Sequence, residues 1–519
     1  MSRSLLRSTG VVSLMTMLSR VLGFVRDVVF AVLFGAAAGM DAFLIAFKIP
    51  NFMRRLFAEG AFAQSFVPVF SATRRQGTVE DARELADVVA GTLGGILLGV
   101  TVLGVIGAPV LVTIFAPGFL NDAGQFELTV SLLRLTFPYL MFVSLVAFAG
   151  GILNSYGQFA VPAFTPVLLN VCLIGAALGL ANRFDDPVTA LAIGVFVAGA
   201  AQLLFQLPWL LKLGLMPRPR WGWANEKVRR IMTLMLPILF GSSVAQVNLM
   251  LDTIIASLLA TGSVSWLYYS DRLMEFPLGV FSIAIATVIL PSLSDRHAAQ
   301  SGQAFSDTLD WALKLLIVIG TPALVGLFVL AGPLITTLFN YRSFDSHDVI
   351  MSQQSLMAYS IGFMSFSLVK VLVPGFFARQ DTKTPVRCGI ISVLATMAMN
   401  LTFVGALVYM QFDAPHVGLA LATSLGAFVN AGLLYHYLRR DDVYRPGAGW
   451  LPVFLRVGLA SLAMGAALYW FAGSVEGWML MDLQARVQQL LLLIGGGALV
   501  YGAVLLASGF RPRHVAMAE

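Results

Sequence analysis

Ser13 to Asp27 reads SLMTMLSRVLGFVRD, and Asp41 to Phe62 reads DAFLIAFKIPNFMRRLFAEGAF. Both are apolar runs interrupted by full charges: Arg20, Arg26 and Asp27 in the first, and Asp41, Lys48, Arg54, Arg55 and Glu59 in the second. A helix that crosses a bilayer needs about 20 predominantly apolar residues, and each run fits within such a helix. One Arg at mid-bilayer costs about 2.5–3.5 kcal/mol on insertion scales, so a helix carrying several charges inserts only if they face protein or water. Five basic residues stand against three acids in this hairpin, which therefore lines an interior with an excess of positive charge. Helical spacing supports a shared inner face, because Ser19 and Arg26, Arg20 and Asp27, and Asp41 and Lys48 are each seven residues apart, about two turns. Pro50 is expected to bend the second helix. The spacing does not decide which of Arg54 and Arg55 points inward.

The rest of the chain has the composition of a membrane protein. Its 519 residues are 58% hydrophobic and 12% charged, against about 25% charged in soluble proteins, and the mean hydropathy is +0.84. The formal net charge of +6 does not come from a soluble basic patch with interleaved aromatics, so nucleic acid is not an expected partner. Cys172 and Cys388 stand alone in apolar runs, which excludes a disulfide framework or a zinc site. Arg3 and Arg7 before an apolar stretch have the outline of a secretory signal, but the stretch carries charges and no cleavage site, so a retained first helix is expected.

Apolar segments bounded by polar loops predict an all-α integral membrane protein with about fourteen spans, centred near residues 22, 56, 100, 140, 171, 198, 243, 280, 319, 362, 398, 427, 461 and 498. Alternate connections carry the basic residues: Arg74 and Arg75; Lys212, Arg218, Arg220, Lys227, Arg229 and Arg230; Arg379, Lys383 and Arg387; Arg439, Arg440 and Arg445. The rule that cytoplasmic loops retain Lys and Arg then places both termini in the cytoplasm, with Arg511 and Arg513 in agreement.

The chain also repeats itself. Ser144-Leu145-Val146 recurs as Ser367-Leu368-Val369 and Pro162 as Pro385, 223 residues later. PVLVTIF at Pro109 to Phe115 recurs as PLITTLF at Pro333 to Phe339, and Asp27 recurs as Asp252 at nearly the same offset. Two homologous six-helix lobes, 1–223 and 224–446, are therefore expected around a central cavity, with 447–519 as two additional C-terminal helices outside the repeat.

In the second half, Trp266 to Pro277 reads WLYYSDRLMEFP. Asp271 and Glu275 are four residues apart and Arg272 and Glu275 three, which suits a local ion pair on one helix face. Arg272 reads either as a member of that pair or as a further positive charge toward the cavity, opposite the first hairpin. The bases of the first hairpin have the same two readings, since acids can neutralise them inside a packed bundle, Arg20 with Asp27 for example. Asp252 and Asp381 are candidates for coupling-cation binding, because carboxylates and carbonyls suit hard ions, and both also fit structural roles. Enzymatic signatures are missing: the chain has no HExxH, P-loop or GxSxG. No cofactor is expected beyond a coupling cation, and the energy source is an ion gradient or the membrane potential.

Ser13 to Asp27, Asp41 to Phe62, Trp266 to Pro277 and the stretch PGFFARQDTKTP at Pro374 to Pro385 together resemble the bacterial lipid II flippase family, MurJ or MviN. The family lies within the multidrug/oligosaccharidyl-lipid/polysaccharide exporter superfamily. The resemblance covers essentially the whole chain. It implies transport of lipid II, the undecaprenyl-pyrophosphate-linked peptidoglycan precursor, across the bacterial cytoplasmic (inner) membrane by alternating access. It further implies that Arg20, Arg26, Arg54 and Arg272 face the cavity, supported by Ser19, Asp27, Asp41, Ser265 and Glu275, and that the last two helices form a groove for the lipid tail. Membrane lipids and peptidoglycan-synthesis proteins are the other partners it suggests. A MATE-like exporter of small molecules and a non-transporting scaffold for cell-wall enzymes are the alternatives. The excess of Arg in the first lobe speaks against a cation exporter, and unaided lipid II movement would reject a scaffold.

Overall fold

The computed structural model describes residues 3–55, 62–299 and 301–511, with the backbone alone at 3–9, 236–245, 280–284 and 286–288. Glu59, Arg513 and the span centre expected near 56 lie outside the described residues, as do the side chains of Arg3 and Arg7. The chain forms two compact units, Met1–Ser265 and Trp266–Glu519. Among the described residues both are helical, without strands.

The first unit holds α1 (Arg3–Phe34), α2 (Ala38–Arg54), α3 (Ala63–Gln76), α4 (Val79–Ile106), α5 (Ala108–Phe115), α6 (Ala123–Thr136), α7 (Tyr139–Ser155), α8 (Ala160–Leu180), α9 (Thr189–Lys212) and α10 (Glu226–Ser257). At its end begins α11 (Ser263–Ala298), which continues into the second unit. There follow α12 (Gly302–Val329), α13 (Ala331–Phe339), α14 (Ser346–Phe377), α15 (Lys383–Tyr409), α16 (Val417–Arg440), α17 (Trp450–Ala472), α18 (Val475–Leu480) and α19 (Leu483–Ala507).

Among the described residues, ten helical segments are both long and apolar enough to cross a membrane. They contain the expected positions near 100, 140, 171, 198, 319, 362, 398, 427, 461 and 498. The positions near 22, 243 and 280 fall in α1, α10 and α11, which at 32, 32 and 36 residues are long enough by length. In α1 the charges of Arg20, Arg26 and Asp27 interrupt the apolar run. Large apolar side chains stay exposed along these helices, such as Leu103, Leu401, Leu462 and Leu492, as expected where lipid is the solvent.

Polar residues start the helices where the chain turns. Thr78 and Asp81 make a reciprocal capping box on α4, and Asp345 and Asp348 make one on α14; each satisfies backbone N–H groups that the first turn leaves without partners. The helix order recurs along the chain: α4 and α12, α5 and α13, α6 and α14, and α8 and α15 all begin 223 residues apart. The buried acids Asp87 on α4 and Asp310 on α12 are also 223 residues apart. Asp87 Oδ1 accepts from the Arg218 N–H. Asp310 Oδ1 accepts from the Tyr444 hydroxyl, the Gly447 N–H and Trp450 Nε1, while its Oδ2 meets Lys314 Nζ at 2.7 Å. Asp87 thus holds the segment that follows α9, and Asp310 the segment that follows α16.

Each unit has its own core. Phe62, Phe66, Phe70 and Phe148 pack as stacked and tilted rings in the first, with Leu85, Val89 and Leu153 around them. In the second, Leu309, Leu313, Phe376 and Leu438 join α12, α14 and α16. The last helix is pinned to α13 by Arg486, which is 5% exposed. Its guanidinium donates to the carbonyls of Trp478, Met479, Thr336 and Asn340 and to Asn340 Oδ1, at 2.8–3.2 Å. The cation sits where the α13 carbonyls run out and the helix dipole is negative. Arg486→Met is expected to cost about 1–3 kcal/mol, because buried carbonyls lose their donors while a charge no longer has to be desolvated. Thermal unfolding in detergent measures it; an unchanged midpoint would remove the pinning role.

Candidate functional site

Helices α1 and α8 pack together, and this contact decides what happens to the first charges. Arg26 and Asp27 are 8% and 2% exposed. Arg26 Nε and Nη2 donate to Asp27 Oδ1 at 2.9 and 2.7 Å, and Nη1 donates to Asn170 Oδ1 on α8 at 3.0 Å. Asn170 Nδ2 donates in turn to the carbonyls of Ser19 and Pro166, at 3.0 and 3.2 Å. The Arg26 guanidinium also lies 5.6 Å from the centre of the Phe30 ring. Arg26, Asp27 and Asn170 therefore form one buried network, which the half-buried Ser19 joins through its backbone carbonyl. A cation in this setting is held by charge-assisted bonds from two directions, which fixes its position.

Arg20 stays outside that network and is exposed. The suggested pair of Arg20 with Asp27 does not form. Two helical turns separate them by about 10 Å along the axis, whereas the adjacent Arg26 side chain reaches Asp27 directly.

Asp41, in the first turn of α2, is 1% exposed. Its Oδ2 accepts the Gly262 N–H at 2.7 Å, and its Oδ1 accepts the Ser265 N–H and hydroxyl at 2.9 and 2.5 Å. These donors surround the start of α11, so the carboxylate satisfies the helix N-terminus and complements its positive dipole end. Lys48, two turns further along α2, donates from Nζ to Thr253 Oγ1 on α10 at 2.5 Å. Asp252, next to Thr253, is half-buried. At the end of α2, Arg54 is half-buried with Nε on Asn51 Oδ1 at 2.7 Å, and Arg55 is exposed.

In the second unit, Arg272 Nη1 donates to Glu275 Oε2 at 2.9 Å, with the side chains 35% and 50% exposed. The guanidinium lies 5.1 Å from the centre of the Tyr268 ring. An exposed pair of this kind is worth about 0–1 kcal/mol, so it orients Arg272 without burying it. Asp271 is half-buried beside it. Asp381 lies between α14 and α15, and its Oδ1 accepts the N–H groups of Lys383 and Thr384 at 3.1 and 3.0 Å. Partial burial pushes its carboxyl up, and the bonds from Thr384 and Lys383 with the charge of Arg379 outweigh that and hold it below the usual range. Asp381, one residue before the N-cap Thr382, thus satisfies the first two N–H groups of α15.

Asn170 and Thr253 carry two of these contacts without any mark in the local sequence beyond a polar residue in an apolar helix. No group of three or more His, Cys, Asp or Glu side chains suited to a metal occurs among the described residues.

Comparison with known proteins gives these helices a context. A sequence model of the family described as lipid II flippase MurJ matches residues 30–488. A protein of Haemophilus influenzae named probable lipid II flippase MurJ is 47% identical over 514 residues, covering 96% of this chain and 99% of its own. A solved structure titled lipid II flippase MurJ, inward closed conformation, superposes with a TM-score of 0.78 at 26% identity, over 95% of this chain and 97% of that one. An inward-facing MATE family transporter of the MOP superfamily shares the fold, with a TM-score of 0.65 at 16% identity over 83% and 97% of the two chains. With the family matched over most of its length and a close relative matched end to end, the chain belongs to the lipid II flippase MurJ family.

Proposed function

We propose that the protein moves lipid II from the cytoplasmic to the periplasmic leaflet of the bacterial inner membrane by alternating access, with both termini in the cytoplasm. The observation that carries this reading is the family match over residues 30–488. The excess of arginine in the first hairpin supports it, since a pyrophosphate takes multidentate, charge-assisted bonds that the guanidinium fork supplies.

In this reading two lobes, 1–223 and 224–446, alternate around the headgroup, while 447–519 accompanies the lipid tail. Arg20, Arg54 and Arg272 meet the pyrophosphate directly. Arg26, held by Asp27 and Asn170, supplies a guanidinium fixed in position. Asp41 and Ser265 set the position of α11, the helix that carries Asp271, Arg272 and Glu275. No bond is made or broken, and the drive is a cation gradient or the membrane potential, with Asp252 the carboxylate to test for cation coupling.

The test is a leaflet-specific lipid II translocation assay in liposomes of defined composition, with sodium, proton and potential gradients imposed separately. Wild-type protein is expected to move lipid II unaided, and Arg272→Ala to lose at least about tenfold in rate, the equivalent of one charge-assisted bond of roughly 1.5–3 kcal/mol. Movement at the wild-type rate by folded Arg272→Ala protein would remove that residue from the site. Absence of lipid II movement by wild-type protein under every gradient would overturn the function itself.

A further inference from the structure

The segment that leaves α9 lies along the outside of α4 as a strap. Residues 212–230 include Lys212, Arg218, Arg220, Lys227, Arg229 and Arg230 against the single acid Glu226, and Trp221 and Trp223 flank Gly222. The strap backbone is bonded to α4 at three points: the Arg218 N–H donates to Asp87 Oδ1 at 2.6 Å, the Arg220 N–H to the Asp87 carbonyl at 3.0 Å, and the Gly222 N–H to Thr92 Oγ1 at 3.1 Å. Glycine permits the approach, since a Cβ at Gly91 would collide with the Arg220 backbone and one at Gly222 with Val88.

With its backbone turned to α4, the strap buries Leu215 and leaves Arg218, Arg220, Trp221 and Trp223 largely outside. Arg218 and Arg220 are exposed, Trp221 is 66% exposed and Trp223 47%. Neither arginine is in an ion pair among the described residues. The acids of the first turns of α4, Glu80, Asp81 and Glu84, are near this end, and Lys227 acts on Asp81 electrostatically.

The level of the strap follows from helix length. α4 has 28 residues, about 42 Å at 1.5 Å per residue, against a hydrocarbon core of about 30 Å. Its first turns are the polar ones, so they project into the headgroup layer, and Asp87 marks the boundary of the core. Below the strap, Gly95, Leu98, Gly99, Val102 and Ile106 lie along one face of α4. Leu98, Val102 and Ile106 are exposed, a Cβ at Gly99 would meet nothing within 4 Å, and one at Gly95 would be 2.8 Å from the Trp221 ring. The face is an open, apolar furrow with an indole at its head and two arginines above it.

We infer that the strap and the outer face of α4 bind an anionic phospholipid of the adjoining leaflet, its phosphate at Arg218 and Arg220, its glycerol region at Trp221 and Trp223, and an acyl chain along Gly95 to Ile106. Arginine suits the phosphate, tryptophan the interface, and the glycine furrow the chain. This site lies within the first unit and is independent of the proposed transport reading.

The test uses full-length protein in phosphatidylcholine vesicles containing a minor fraction of brominated phosphatidylglycerol or, in parallel, brominated phosphatidylcholine, with tryptophan fluorescence as the readout. Brominated phosphatidylglycerol is expected to quench more strongly, with the excess falling as salt is raised and disappearing in Trp221→Phe/Trp223→Phe protein. Arg218→Gln and Arg220→Gln are each expected to reduce the preference about fivefold, the effect of about 1 kcal/mol per basic residue at a membrane surface. Equal quenching by the two lipids in wild-type protein would overturn the inference. So would an excess insensitive to salt, or one retained by folded Arg218→Gln/Arg220→Gln protein. The wild-type comparison stands even if a variant fails to fold.

Discussion

Arg26→Ala is expected to destabilise the protein by about 3–5 kcal/mol, because it leaves the Asp27 carboxylate buried without its guanidinium partner. Asp27 is 2% exposed and takes two bonds from Arg26, while Asn170 Oδ1 loses a donor at the same time. The double variant Arg26→Ala/Asp27→Ala removes both charges and is expected to cost clearly less than the sum of the two single changes, since the sites are coupled. Unfolding midpoints of the four proteins in detergent complete the cycle. Additive costs would show that the pair is not energetically linked. The same cycle separates the two roles of Arg26: translocation by the double variant is expected to be lost even where stability returns, because the guanidinium and its hydrogen-bond donors have gone although the net charge of the pair is unchanged. A double variant that transports normally would leave Arg26 with a packing role alone.

The second large effect is expected at Asp41. Asp41→Ala removes an acceptor from two backbone N–H groups and one hydroxyl around the start of α11. Each buried donor left without a partner costs about 1–3 kcal/mol, so a loss of about 3 kcal/mol or more is expected. Ser265→Ala removes one of the three bonds and is expected to cost about 1 kcal/mol. Asp41→Asn falls between them, since the amide keeps one oxygen but turns an NH2 toward an N–H donor. Thermal unfolding ranks the three. A loss below Ser265→Ala for Asp41→Ala would show that the carboxylate does not organise the helix start. Because α11 carries Arg272 in its third turn, the Asp41 variants are also expected to slow translocation without touching any substrate contact.

Much of this site is legible in the residues of the first hairpin. Arg26 and Asp27 stand in an apolar run, and the cost of burying them there demands an interior setting. Their partner is not legible. Asn170 lies 144 residues further on, and a single Asn in an apolar helix carries no local sign of what it bonds. The seven-residue spacing of Asp41 and Lys48 indicates a shared face of α2, but the face meets two different elements, Asp41 at the start of α11 and Lys48 at α10. The spacing of Arg20 and Asp27 suggests a pair that the adjacent Arg26 forms instead. Helical periodicity tells which direction a side chain points, and it does not tell what stands there.

By itself the sequence determined the class of protein, the positions of ten of its apolar membrane-length helices, and the surplus of positive charge on the first hairpin. These follow from local quantities: apolar content over about 20 residues and the cost of a charge within such a run. Only the tertiary structure decided which charges are held and which are exposed: Arg26 between Asp27 and Asn170, Asp41 on the start of α11, Arg486 on the last carbonyls of α13, Arg20 outside. The physical reason is that hydrogen bonds and ion pairs act over about 3 Å, and residues more than a hundred positions apart come within that distance only through the packing of helices.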